Sequence, residues 1–176
     1  MIRQQRLRVE LPVMLALGSN LGDREATLRA AVSSINAIDG VTVDAASSIV
    51  QTPAVKLSGV DHSAPAYLNA VVSARSALEP HKLLTELQRI ETENGRVRDE
   101  RWGDRTLDID IVSFAHLQVD DAQLTIPHPR AAERSFVLVP LLQLDPHANL
   151  AGVGAAAECL NAIENDATEF EAAPLW

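Results

Sequence analysis

"RWGDRTLDIDIV", residues 101 to 112, places the alternating run Leu107, Asp108, Ile109, Asp110 and Ile111 directly behind two arginines and a tryptophan. Alternation with period two is a β-strand pattern, in which residues i and i+2 leave the same face about 6 to 7 Å apart at the Cα level. The leucine and isoleucines then face a core and both carboxylates point the other way. Such a pair is either an ordinary solvated strand face or a platform for hard divalent cations, which take oxygen ligands.

The flanking charge bears on that choice. The chain has 15 basic and 24 acidic residues and a net charge of -9, so a broad electrostatic grip on a nucleic-acid backbone is not expected. The positive charge is nevertheless uneven: Arg89, Arg96, Arg98, Arg101 and Arg105 crowd into one short stretch, while the only two lysines are Lys56 and Lys82. A guanidinium fork matches phosphate oxygens, so this cluster reads either as a solvated loop or as a local anion site. Arginines beside metal-holding carboxylates suit a polyphosphate better than either feature alone.

Upstream, "PVMLAL" (12–17) reads as a central strand ended by Gly18. A helix is predicted from Arg24, with Leu28, Val32, Ile35 and Ile38 at helical spacing, Asp23 as its cap and Gly40 as its stop. "VTVDAASSIVQ" (41–51) reads as a second strand, 52–66 as a long loop, and "YLNAVVSAR" (67–75) as a third strand. Pro80 opens a helix with Leu83, Leu84, Leu87 and Ile90 as its stripe and Asn94-Gly95 as its end. A polar loop (95–105) then leads into the acidic strand. The order β-α-β-β-α-β predicts an α+β, ferredoxin-like antiparallel sheet with both helices on one face. Residues 125–144 read as a loop with a short helical or extended segment, and 155–163 as a last helix.

At 176 residues and 47% hydrophobic, one domain spanning 1–176 is expected. No apolar run is long enough to cross a bilayer, and "MIRQQRLRVELP" lacks the apolar segment of a secretory signal. Cys159 is alone, which precludes an internal disulfide and a thiolate metal cluster and fits a reducing compartment. A cytoplasmic protein is therefore expected, with no membrane or nucleic-acid partner.

"GSNLGD" (18–23) has glycines four apart but lacks the lysine of a phosphate-binding P-loop, so it reads as a strand-to-helix turn. His128, within "IPHPR", is either a phosphate donor or a packing residue. Tyr67 and Phe136 are read as core packing, or as a flat slot for a planar ring whose edge the Asn69 amide reads.

Taken together, "LGSNLGD", "TPAV", "YLNAVV", "QRIETENGRVRDERWGDRTLDIDIV" and "IPHPRAAERSFVLVPL" resemble the 6-hydroxymethyl-7,8-dihydropterin pyrophosphokinase family of folate synthesis, collinearly over about residues 12–145. The resemblance implies transfer of the β,γ-diphosphate of ATP to the pterin hydroxymethyl group, with release of AMP. It implies that Asp108 and Asp110 hold two magnesium ions on the triphosphate. Arg96 and Arg105 match the family's loop arginines, and Glu91, His128 and Arg134 match positions around the nucleotide. Tyr67 and Phe136 match the aromatic pair enclosing the pterin and Asn69 its hydrogen-bonding side chain. Thr52, Pro53 and Val55 match the loop that reads its edge, and Trp102 the tryptophan that helps enclose it. A monomer that binds ATP before pterin is expected.

Three departures stand out: Asp104 where many relatives have proline, Pro129 where some have a tyrosine near the nucleotide, and an unusual stretch from Lys56 to His62 in the 52–66 loop. Two rivals follow from the residues. A two-metal nucleotidyltransferase would attack at the α-phosphorus instead. A non-catalytic ferredoxin-like RNA-binding module would carry paired sheet aromatics and a basic surface, both absent here.

Overall fold

The computed structural model describes residues 9–56, 59–61, 65–95 and 106–176, with 54–56 and 59–61 described as backbone. In chain order come β1 (Leu11–Ser19), α1 (Arg24–Asn36), β2 (Val41–Ala46), β3 (Val50–Thr52), β4 (Ala54–Lys56), β5 (Gly59–Asp61), β6 (Tyr67–Ser76), α2 (Pro80–Glu93) and β7 (Asp108–Phe114). After these come β8 (Val119–Asp120), β9 (Thr125–Ile126), α3 (Ser135–Leu144), β10 (Asn149–Leu150), β11 (Gly154–Ala155), α4 (Ala156–Asn161) and β12 (Thr168–Glu169).

Both faces of β1 carry apolar or small side chains, so it can be covered on both sides. Val13, Leu15 and Leu17 are buried on one face, and Met14 and Ala16 pack on the other. Accordingly β1 lies inside an antiparallel sheet of order β12-β3-β6-β1-β7, in which β2 also pairs with β6. Asp23 caps α1 by accepting from the Ala26 N–H at 3.1 Å, and Leu28, Val32 and Ile35 bury its inner stripe. In α2, Pro80 sits in the first turn and Leu83, Leu87 and Ile90 are buried. Both helices pack into the core formed by Leu15, Leu17, Leu68, Ile109 and Ile111. Each such fully buried aliphatic side chain contributes about 1.5–3 kcal/mol.

Two expectations are corrected. The single strand expected over 41–51 is two, β2 and β3, both paired to β6. Between them Ser47 takes over part of the ladder: its N–H donates to the Val71 carbonyl and its Oγ accepts from the Val71 N–H, each at 2.9 Å. The side chain thus satisfies a donor that a regular strand would pair with backbone. The long loop expected over 52–66 contains a two-stranded hairpin, β4 with β5, in register Val55 opposite Val60. Within 125–144, where a loop with a short helical or extended segment is expected, the helical segment is α3, all but one of whose residues are apolar or small. Val137, Leu138 and Leu141 pack with Val71 and Val112 on the second face of the sheet. No described helix is long and apolar enough to cross a membrane.

Replacing Ser47 with alanine removes the acceptor for the buried Val71 N–H. A loss of about 1–3 kcal/mol in urea-unfolding stability is expected; an unchanged midpoint would contradict the role given to that hydroxyl.

Candidate active site

The register of three strands builds the site. Gly18 on β1 is opposite Asn69 on β6 and Asp108 on β7, and Ala16 is opposite Val71 and Asp110. Because neighbouring strands keep paired side chains on one face, Asn69, Asp108 and Asp110 share the face that α3 partly covers. Ile109 and Ile111 point into the opposite core. At the centre of the first row a side chain would not fit: a Cβ built on Gly18 lies 2.9 Å from Asn69 Oδ1. Glycine leaves bare backbone between an amide and a carboxylate, so a flat ligand can approach both.

On one side of that gap, Asn69 and Thr52 are buried, and Asn69 Nδ2 donates to Thr52 Oγ1 at 3.3 Å. Thr52 pairs with Tyr67, so β3 and β6 present Thr52, Tyr67 and Asn69 as a patch of polar tips and one ring. Arg24 fixes the approach to Tyr67 by donating through Nη1 to the Ala66 carbonyl at 2.6 Å. Pro53 follows β3 directly, and the Val55 backbone is in β4.

On the other side, the loop after β9 and the start of α3 meet Asp110. His128 is tied to β7 by its N–H, which donates to the Val112 carbonyl at 3.0 Å. Its Nδ1 accepts from the Arg130 N–H at 3.1 Å, so neutral His128 carries its proton on Nε2. That Nε2 lies 3.5 Å from Asp110 Oδ2, and Arg134 Nη1 lies 3.6 Å from the same oxygen. Burial, reinforced by the positive charge of Arg134, lowers the His128 imidazole to about 4. The Arg134 guanidinium sits 5.6 Å from the centre of the half-buried Phe136 ring, within cation–π range.

Glu91, expected at the nucleotide, is buried in the last turn of α2. Its Oε1 accepts from the Ile109 N–H at 2.7 Å, a bond to the residue between the two aspartates. Arg96, Trp102 and Arg105 lie outside the described residues, as does Asp104.

Sequence reading missed the spacing role of Gly18, the Ser47 bridge and the Arg24 tether. For Gly18 a signal existed, a glycine ending an apolar strand. Asp108 and Asp110 fit a hard cation in type, being part-exposed oxygen donors on one face. Among the described residues no group of three or more potential ligands converges. Two carboxylates make an incomplete shell, the arrangement magnesium accepts when a phosphate supplies further oxygens.

The low pKa of His128 gives a signed expectation for the metal-free protein. An unfolded chain protonates its histidine near 6.5 and the folded site only near 4, so this group destabilises the fold progressively as pH falls through that window. NMR titration should place the His128 midpoint near 4, and Arg134→Ala should raise it. A wild-type midpoint at 6.5 would contradict the buried, arginine-flanked environment.

Comparison with known proteins places the chain among relatives. A family model described as 7,8-dihydro-6-hydroxymethylpterin-pyrophosphokinase (HPPK) matches residues 14–146. The 2-amino-4-hydroxy-6-hydroxymethyldihydropteridine pyrophosphokinase of Bacillus subtilis is 45% identical over 130 residues, 74% of this chain and 75% of that protein. The Haemophilus influenzae protein of the same name is 42% identical over 130 residues, covering 74% and 79%. Among solved structures, a Plasmodium falciparum HPPK-DHPS chain matches with a TM-score of 0.67 at 12% identity, over 90% of this chain and 46% of that one. The chain thus spans under half of that longer protein, and the likeness to it is one of fold.

Proposed function

The chain belongs to the 7,8-dihydro-6-hydroxymethylpterin-pyrophosphokinase family, and from that premise we infer how its own residues divide the work. It transfers diphosphate from ATP to the hydroxymethyl group of 6-hydroxymethyl-7,8-dihydropterin in folate synthesis, and AMP is the nucleotide product. One observation carries the division of labour: the row Asn69, Gly18, Asp108, which sets a hydrogen-bonding slot beside an acidic platform with bare backbone between. We read the strand order β7-β1-β6, with β2 and β3 beyond, as a ferredoxin-like βαββαβ sheet carrying that row.

In this reading the pterin lies in the slot. Tyr67 and Phe136 enclose the ring, Asn69 hydrogen-bonds its edge, and the backbone at Thr52, Pro53 and Val55 reads the rest. Trp102 closes over it. Asp108 and Asp110 hold two magnesium ions, which when bound would neutralise and polarise the phosphate oxygens. Arg134 and the neutral Nε2–H of His128 flank Asp110 and supply donors to the phosphates. Arg96 and Arg105 contribute the remaining positive charge at the triphosphate. Glu91 lines the nucleotide site and also holds the carboxylate strand through the Ile109 N–H. Transfer of this kind asks for alignment and charge stabilisation more than for a strong base. Closing the 52–66 and 95–105 segments over both substrates, ATP first, excludes water that would hydrolyse the nucleotide. The working unit is a monomer.

Phosphorus NMR of the protein with ATP, magnesium and 6-hydroxymethyl-7,8-dihydropterin tests the reading. AMP together with a pterin-linked diphosphate, formed only when pterin and metal are both present, is expected. Free diphosphate with an AMP-linked pterin would overturn it in favour of nucleotidyl transfer. Asp110→Ala should lower turnover by at least about a hundredfold while far-UV circular dichroism stays unchanged; near-normal turnover would remove Asp110 from the metal platform.

A further inference from the structure

Residues beyond 146 lie outside the matched family segment, yet the last eleven touch three parts of the molecule. Asp166 Oδ1 accepts from the Oγ of the buried Ser135, the residue between Arg134 and Phe136. Two residues on, β12 pairs with β3, Thr168 opposite Gln51 and Glu169 opposite Val50, and the Phe170 N–H donates to the Ile49 carbonyl at 3.0 Å. Farther along, Arg29 on α1 donates to the Ala173 and Pro174 carbonyls, each at 2.6 Å, and Leu175 is buried in the core.

We propose that residues 166–176 form a strap that sets the width of the pterin slot, with Asp166 as a positioning residue acting through Ser135. The proposal rests on the assignment of that slot to the pterin. The two walls of the slot belong to different elements: Thr52 is on β3, paired to Tyr67 and bonded to Asn69, whereas Phe136 is in the first turn of α3. The strap holds both walls. It pairs with the two residues preceding Thr52 and is bonded to the residue preceding Phe136. A parallel cross-link ties α3 to the same region, Gln143 Oε1 accepting from the Ser48 N–H at 3.0 Å. Covering the outer edge of β3 would explain the pairing of β12, since an open edge invites unwanted pairing. Edge cover does not require the bond from Asp166 to Ser135. That bond points to α3, and the carboxylate at the start of the helix also suits its positive end.

The slot and the acidic platform differ in how they depend on the strap. Asp108 and Asp110 stand on β7, on the far side of β1 and β6 from β12. Loosening the strap should therefore weaken pterin binding most, with a smaller loss on the nucleotide side through Arg134, which precedes Ser135 at the start of α3. The test uses the full chain saturated with magnesium and a non-hydrolysable ATP analogue, and measures 6-hydroxymethylpterin affinity by calorimetry in wild type, Asp166→Ala, Ser135→Ala and Asp166→Asn. The nucleotide affinity is measured separately.

Asp166→Ala and Ser135→Ala should weaken pterin binding by roughly five- to twentyfold, since a misplacement near 1 Å is enough for such losses, with nucleotide affinity falling by no more than about threefold through Arg134. Asp166→Asn, which keeps an acceptor oxygen for Ser135, should recover most of the loss. Amide exchange should rise together at 50–52 and 135–138 and stay level in β1 and β7. Unchanged pterin affinity, or parallel loss of both ligands as thermal stability falls, would overturn the strap's role. Wild type that binds the nucleotide but no pterin would overturn the slot assignment on which the proposal stands. If Asp166→Ala does not fold, Ser135→Ala and Asp166→Asn decide the question alone.

Discussion

The register of β1 against its two neighbours is the constraint on which the rest depends. With Leu17 opposite both Ala70 and Ile109, the apolar residues of three strands meet α1 and α2 on one face. The same register leaves Asn69, Gly18 and Asp108 in line on the other. A slip of one residue in β7 would drive Asp108 and Asp110 into the core and turn Ile109 and Ile111 out. Burial of the isoleucines opposes that slip, and the buried Glu91 carboxylate reinforces the opposition by gripping the Ile109 N–H. The position of the acidic pair is thus held by hydrophobic burial and by the bond from the Ile109 N–H to Glu91, without need of a ligand.

The two faces of the sheet do different work. The first is closed by aliphatic packing and supplies stability. The second is only partly covered, because α3 packs on Val71 and Val112 and stops short of the row holding Asn69 and Asp108. Its N-terminus delivers Arg134 and Phe136 to that edge, and the preceding loop delivers His128. The positive end of the helix, an arginine and an imidazole N–H therefore converge where an anionic ligand would meet the carboxylate strand. Keeping His128 neutral matters here, since it can donate through Nε2 without adding a second full positive charge beside Arg134.

Much of this was legible in the sequence because it rests on local periodicity. The alternation in 107–111 and the capped stripe of α2 each carry their own pattern, and the collinear motifs identified the chemistry. What was not legible depends on contacts between distant residues. The break at Ser47 hides in a run that reads as one strand, because its cause is a side-chain bond to Val71, 24 residues away. The hairpin of β4 and β5 has strands too short for periodicity to register. Helix α3 holds Pro140 inside an almost uniformly apolar run, which obscures a helical stripe. Ser135 and Asp166 are 31 residues apart, and nothing in either neighbourhood marks them as partners. The roles read for Arg96, Trp102 and Arg105 fall outside the described residues.

The central claim is that one strand face, held by register, is the metal platform beside the pterin slot. Electron paramagnetic resonance with Mn2+ in place of magnesium, in the presence of a non-hydrolysable ATP analogue, tests it most directly. The account predicts two bound ions per wild-type chain, and loss of both in an Asp108→Asn, Asp110→Asn double variant whose fold is unchanged. Retention of both ions by that variant would contradict it.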